Sequence, residues 1–201
     1  MDDTVGIVVG TFGDPSWVDR AKTAVKSAEN QTQAPTRVFH HHASDLATAR
    51  NEGAFTIGTR WLIFLDADDT LDAEYVRSMM APGEDAGAAT LRQPATLGVY
   101  PDGTEDDCAV MIPERPLLQS NYLVIGTMCL REAFLDVGGF DPEFPVLEDW
   151  DLWIRMWKNG AIIGKRPDAI YRVGVNQDSR NQNSALHGRY YSRIRSKYGS
   201  V

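Results

Sequence analysis

A chain of 201 residues with 43% apolar side chains and five tryptophans can bury a sizeable core within one domain. Its net charge of −8 excludes a large nucleic-acid-binding surface on electrostatic grounds. The charge is uneven, because Arg172 to Val201 carries six Lys or Arg against one Asp, a local +5 that leaves −13 for the rest. A basic tail on an acidic body suggests either a local anionic ligand or a solvated helix face.

Val5-Gly6-Ile7-Val8-Val9 predicts a strand that ends in the turn Gly10 to Pro15, with a helix from Ser16 to Glu29 behind it. Asn30 to Pro35 is a break. Thr36 to His42 reads as a second strand, Ser44 as the cap of a helix over Asp45 to Ile57, and Trp61 to Leu65 as a third strand. This β-α-β-α-β alternation argues a parallel α/β sheet with right-handed crossovers. A helix follows at Ala73 to Met80. Strands are expected at Ala88 to Arg92, Leu97 to Tyr100 and, beyond the turn Pro101-Asp102-Gly103, Cys108 to Ile112. Val124 to Leu130 reads as a strand or buried turn, and Arg131 to Val137 as a short helix stopped by Gly138-Gly139.

From Asp149 a helix places Trp150, Trp153, Ile154 and Trp157 at i, i+3, i+4 and i+7, a core-facing stripe that assigns the tryptophans to packing before sugar stacking. Asn159-Gly160 ends it. Ala161 to Ile163 and Ala169 to Tyr171 are short strands, and Val173 to Ser184 is a polar loop, expected to be mobile and to order over an anionic ligand. Ala185 to Lys197 closes the chain as a helix with Leu186, Tyr190 and Ile194 on one side. Cys108 and Cys129 form neither a zinc spacing nor a redox pair, and no apolar run approaches the length of a membrane span. Both features suggest a soluble, cytoplasmic protein.

Leu65-Asp66-Ala67-Asp68-Asp69 follows the apolar run Trp61 to Phe64. Three carboxylates at a strand end repel one another unless they are solvated or share a divalent cation, and hard oxygen ligands suit Mg²⁺ or Mn²⁺. Capping of the next helix by Asp69 or Asp72 accounts for one of them only. Ligands of open parallel sheets bind beyond the carboxyl ends of strands, and three such ends stand out: Thr11-Phe12-Gly13, His40-His41-His42 and Asp66 to Asp69. Glu148-Asp149 forms a second acidic pair at a helix start. A metal-carboxylate site with a separate carboxylate base is what metal-assisted group transfer needs.

Four pieces together resemble the inverting family-2 glycosyltransferases of the GT-A fold. They are Ala49-Arg50-Asn51-Glu52-Gly53-Ala54, Phe64-Leu65-Asp66-Ala67-Asp68-Asp69, Val137-Gly138-Gly139-Phe140-Asp141, and Glu148-Asp149-Trp150-Asp151-Leu152-Trp153. Their order and spacing match over Val5 to Arg172. The resemblance implies a GT-A-type α/β domain, mostly parallel in its central sheet, flanked by helices, with a small antiparallel portion. Residues 1–93 would form the nucleotide-sugar half, 94–172 the acceptor half, and 173–201 a terminal loop and helix.

It also implies roles. Asp68, assisted by Asp66, would hold Mn²⁺ or Mg²⁺ as a DxD motif. Thr11, Phe12, Gly13, His41, Arg50 and Asp66 would meet the donor nucleotide. Asp149 would be the catalytic base, Glu148 would orient the acceptor or support the loop, and Gly126, Thr127 and Trp150 would face the acceptor. The donor would be a nucleotide-diphosphate sugar, a UDP-sugar first, and the acceptor a hydroxyl of a glycan, a protein or a modified nucleobase.

Three departures from the family pattern stand out. His40-His41-His42 replaces the usual Asp-rich stretch after the second strand, and strand alternation puts His40 and His42 on one face and His41 on the other, against a three-His metal site. Gly174 stands where a His often follows a Tyr-Arg pair, leaving His187, the only later His, as either a substitute metal ligand or a helix-surface His without a role. No Gln-x-x-Arg-Trp motif is present, which favours transfer of a single sugar over processive synthesis. Two other readings remain: a non-catalytic nucleotide-sugar or glycan-binding module, and a sugar-nucleotide pyrophosphorylase. The first has no need of Asp149. The second would carry a longer Gly-rich loop with Arg and Lys after the first strand.

Overall fold

Apolar runs without polar alternation form strands covered on both faces, and that is how the centre of this sheet is built. In the computed structural model, which describes residues 3–85, 87–106, 116–175 and 184–199, β1 (Val5–Phe12) and β3 (Trp61–Leu65) are buried along almost their whole length. With β2 (Arg37–Ala43), β4 (Thr70–Leu71), β5 (Leu91–Val99), β6 (Met128–Leu130) and β7 (Ile163–Gly174) they form one sheet in the order β2-β1-β3-β6-β5-β7-β4. The helices are α1 (Ser16–Glu29), α2 (Leu46–Ile57), α3 (Tyr75–Met80), α4 (Arg131–Asp136), α5 (Glu148–Lys158) and α6 (Ser184–Tyr198).

The β2-β1-β3 unit is parallel, as the alternation predicts. The antiparallel share is larger than expected. β6 runs against both β3 and β5, and β4 against β7, while β5 and β7 are parallel. α2 covers one face of β1 at close range: a Cβ at Gly6 would fall 2.7 Å from Ile57 Cδ1, and one at Gly10 3.0 Å from Arg50 Cγ. Phe64 packs at 4.9 Å against Phe140 and at 5.2 Å against Phe134, joining β3 to α4 and the loop behind it.

Several element expectations change. Asp45, not Ser44, caps α2, accepting from Thr48 N at 2.8 Å. The two strands expected between Ala88 and Tyr100 are one, β5, whose register against β7 shifts between Pro94 and Ala95 because Pro has no N–H to give the ladder. The two short strands after Gly160 are likewise one, β7. Trp150, Trp153 and Ile154 are buried on α5, but Trp157 is 41% exposed and outside the stripe. The strand expected at Cys108 to Ile112 lies outside the described residues, as does most of the loop expected at Val173 to Ser184.

Candidate active site

The two-residue strand β4, which the sequence did not suggest, pairs Thr70 with Arg172 and Leu71 with Tyr171. That pairing brings the end of β7 against the Asp66 to Asp69 turn. Tyr171 Oη accepts from Asp66 N at 3.2 Å and donates to Asp69 Oδ2 at 2.8 Å, while Gly174 N donates to Asp69 Oδ1 at 2.8 Å. One carboxylate oxygen of each of Asp66, Asp68 and Asp69 lies within 4.8 Å of the others, the single such cluster among the described residues.

Burial, then the charges of Asp66 and Asp68, push the Asp69 carboxyl well above its ordinary range. Asp69 is buried and both its oxygens accept hydrogen bonds from β7, so it anchors the acidic turn to that strand. Neither it nor Asp72 caps α3, which has no side-chain cap. Asp68 is exposed and Asp66 half-buried. Hard oxygen donors at this spacing fit Mg²⁺ or Mn²⁺. His187 sits half-buried on α6 and is not part of the cluster.

Arg50 is 1% exposed, with its guanidinium between two acids: Nη1 donates to Glu148 Oε1 at 2.8 Å, and Nη2 to Asp66 Oδ1. Burial works against its charge, but Asp66 and Glu148 outweigh it and keep the side chain cationic. The guanidinium carbon also lies 5.1 Å from the centre of the Phe140 ring. The Arg50 expected at the donor nucleotide is thus an internal bridge. Its neighbour Asn51 accepts from Phe140 N and donates to Phe140 O, both at 2.8 Å, which joins α2 to the Gly138-Gly139-Phe140 loop.

Glu148 and Asp149 open α5. The residue before them, Leu147, has φ 59°, the one left-handed non-glycine among the described residues. Such strain costs roughly 1–3 kcal/mol and concentrates at functional sites. Asp149 lies inside the first turn and the helix has no side-chain cap, so a capping role does not account for it. Its Oδ1 accepts from Trp150 N at 2.7 Å and its Oδ2 from Asn121 Nδ2 at 3.0 Å. Burial, then the charge of Glu148, push the Asp149 carboxyl up to about 7, against the hydrogen bonds of Asn121 and Trp150 N and the charge of Arg50. The helix start alone would favour the ionised form; here burial wins.

Beyond β1, Thr11 is buried, Phe12 half-buried and Gly13 exposed with φ 73°. Thr11 Oγ1 lies 2.9 Å from His40 Nε2 and 3.1 Å from His42 Nδ1. Burial first, then His42 and His41, lower the His40 imidazole. His41 points to the other face, 2.5 Å from Glu52 Oε2, where it helps line a cavity of about 520 Å³ with Phe39, Phe55 and Leu135. The side chains beside Thr11 are therefore His40 and His42, in place of the expected His41.

The residues expected at the acceptor are mostly internal. Gly126 and Thr127 are buried, and a Cβ on Gly126 would fall 2.1 Å from the Tyr171 ring. Trp150 is 1% exposed, donates from Nε1 to Leu117 O at 2.6 Å, and packs 5.4 Å from Tyr191, so the indole is committed to packing. Two cations of the basic tail are paired with nearby acids: Lys197 meets Asp151 at 2.8 Å and Asp141 at 3.3 Å, and Arg193 meets Glu143. Sequence reasoning missed Tyr171, Asn51 and Asn121 as site residues, since their roles depend on contacts across 105, 89 and 28 positions. Asp69 was visible in the acidic run, but its anchoring role was not.

Residues 13–109 match the model of glycosyl transferase family 2. No curated protein matches the sequence. Among solved structures, S. aureus TarS 1–349 in complex with UDP-GlcNAc superposes with a TM-score of 0.72 at 12% identity, over 95% of this chain and 64% of that one. TarS 1–349 in complex with UDP gives 0.66 at 16% identity, over 86% and 61%. S. aureus TarS gives 0.66 at 14%, over 98% and 44%. The chain thus spans less than two thirds of each of these neighbours. The mixed sheet flanked by helices is a GT-A-type fold. The family model covers just under half of the chain, and with the GT-A-type fold it makes this chain similar to glycosyl transferase family 2.

Proposed function

We propose that the chain transfers one sugar from a nucleotide-diphosphate sugar to an acceptor hydroxyl by a single, inverting displacement. Asp149 takes the hydroxyl proton, the acceptor oxygen bonds to the anomeric carbon from the face opposite the diphosphate, and the bond to the diphosphate oxygen breaks as the nucleotide leaves. A carboxylate base contributes roughly 10²- to 10⁴-fold in rate. The observation that carries the reading is the chain Asp66–Arg50–Glu148 leading to Asp149, which sets a base with a raised pKa beside an acidic cluster.

Asp68 and Asp66 would hold Mn²⁺ or Mg²⁺, and that ion, when bound, would neutralise charge on the leaving diphosphate. Thr11, Phe12 and Gly13, with His40 and His42, are the candidate nucleoside contacts. UDP in the two TarS complexes makes a UDP-sugar the first donor to try. The acceptor is a hydroxyl compound, and no helix of the described residues is long and apolar enough to cross a membrane.

A panel of nucleotide sugars, each with Mn²⁺ or Mg²⁺, should show one donor that raises the melting temperature and is slowly hydrolysed. Asp68 is exposed, so Asp68→Ala should keep the fold while abolishing metal-dependent binding of that nucleotide in calorimetry. Undiminished binding in the variant would overturn the metal assignment.

A further inference from the structure

The loop before β6 puts an amide against the base. Its backbone is fastened at three points: Leu117 O accepts from Trp150 Nε1 at 2.6 Å, Leu118 O from Arg195 Nη1 at 2.9 Å, and Tyr122 O from Gln93 Nε2 at 3.1 Å. Between them stands Asn121, whose Nδ2 donates to Asp149 Oδ2 at 3.0 Å. Trp150 N holds the other carboxylate oxygen at 2.7 Å. The two donors fix the plane of the carboxylate. Asn121 Oδ1 is buried and has no hydrogen-bond partner among the described residues. An unsatisfied buried acceptor lowers stability, so the amide is a poor choice for holding the fold together.

We infer that Asn121 is a positioning residue for the general base, orienting the Asp149 carboxylate toward the acceptor hydroxyl and favouring its ionised form. The inference rests on Asp149 being the base. The groups acting on this carboxylate are Glu148, whose charge raises its proton affinity, and Arg50, whose charge lowers it. Both belong to the buried bridge, so the amide adjusts the base without altering the bridge. A hydrogen bond to an ionised group is among the stronger kinds, and its loss makes the acid weaker by roughly tenfold, about one pH unit.

The test is carbon-13 NMR titration of the aspartate carboxyls in the whole chain, with Asp149 assigned through Asp149→Asn. In Asn121→Ala the Asp149 titration should move upward by about one pH unit. In the isosteric Asn121→Asp it should move at least as far, because the amide donor becomes a like charge. At pH 5, where Asp149 is protonated with or without the amide, both variants should keep the wild-type melting temperature within about 2 °C, and both should bind UDP with Mn²⁺ as the wild type does. If one variant fails to fold, the other still reports. An Asp149 titration unmoved in the folded variants overturns the proposal, as does a large melting loss with no titration shift, which is the mark of a purely structural role. Turnover separates this from the parent reading. If Asp149→Asn retains turnover on the donor found by the panel, the base assignment fails whatever Asn121 does. If Asp149→Asn is inactive while the Asn121 variants leave the titration in place, only the positioning role fails.

Discussion

Asp149 shows how neighbours set a residue's chemistry. With its carboxyl pushed up to about 7 by burial and by Glu148, it is a stronger base than a surface aspartate, yet still substantially ionised near neutrality. A base must be ionised to act, so turnover should fall about tenfold per pH unit below 7 and level off above it. Asp149→Asn cannot take the proton and should lose at least roughly a hundredfold in turnover while binding donor normally. The stability effect has its own sign. A carboxyl whose pKa rises on folding stabilises the protein below its unfolded value near 3.8, and that contribution is lost as pH rises through about 7. Asp149→Asn should therefore melt higher than wild type at pH 8, with the advantage shrinking toward pH 4. A pH–rate profile and melting curves for both proteins check this. A flat profile between pH 5 and 8 would count against Asp149 as the base.

Among the elements, β7 matters most to the site, because its Tyr171 reaches the acidic turn and its pairing with β4 holds that turn in place. Gly126 permits this: its missing Cβ is where the Tyr171 ring passes, and Tyr75 Oη donates to Gly126 O at 2.7 Å. Gly126→Ala overpacks the contact and should cost about 1–3 kcal/mol, lowering the melting temperature by roughly 2–12 °C. Displacing Tyr171 should also weaken Mn²⁺-dependent nucleotide binding. An unshifted melting curve would show that the ring can step aside. The helices and the parallel strands β1 to β3 were readable from sequence, because apolar or β-branched runs, turn residues and helical spacing are local signals, although the cap of α2 lies one residue beyond the expected Ser44. β4 was not: two residues carry no period, and their strand character comes only from Arg172 and Tyr171 across the ladder. The merger of the short strands into β5 and β7 was hidden for a related reason, since Pro94 and the polar stretch before Ala169 look like strand ends until a partner supplies the register.

Across the whole molecule, the site is assembled by one buried cation. Arg50 comes from α2 in the first half of the chain and Glu148 from α5, 98 positions later, and Asp66 completes the bridge. The motifs carrying Asp66, Asp68, Glu148 and Asp149 could be recognised as short strings. That Arg50 links them could not, because a lone Arg on a helix has no spacing that foretells a buried partner. The bridge also explains why the acidic strand end is tolerable in this chain: Arg50 offsets Asp66, leaving Asp68 exposed for a cation. Arg50→Met keeps much of the side-chain length but leaves Asp66 and Glu148 without their partner. Removing one side of a buried ion pair costs about 3–5 kcal/mol, so the variant should unfold at clearly lower urea. Mn²⁺ attracted to the uncompensated carboxylates should restore more stability to the variant than it adds to the wild type. Urea denaturation of both proteins, with and without Mn²⁺, measures the two effects together. A variant that unfolds with the wild type in metal-free buffer would mean that Arg50 does not join the halves of the site.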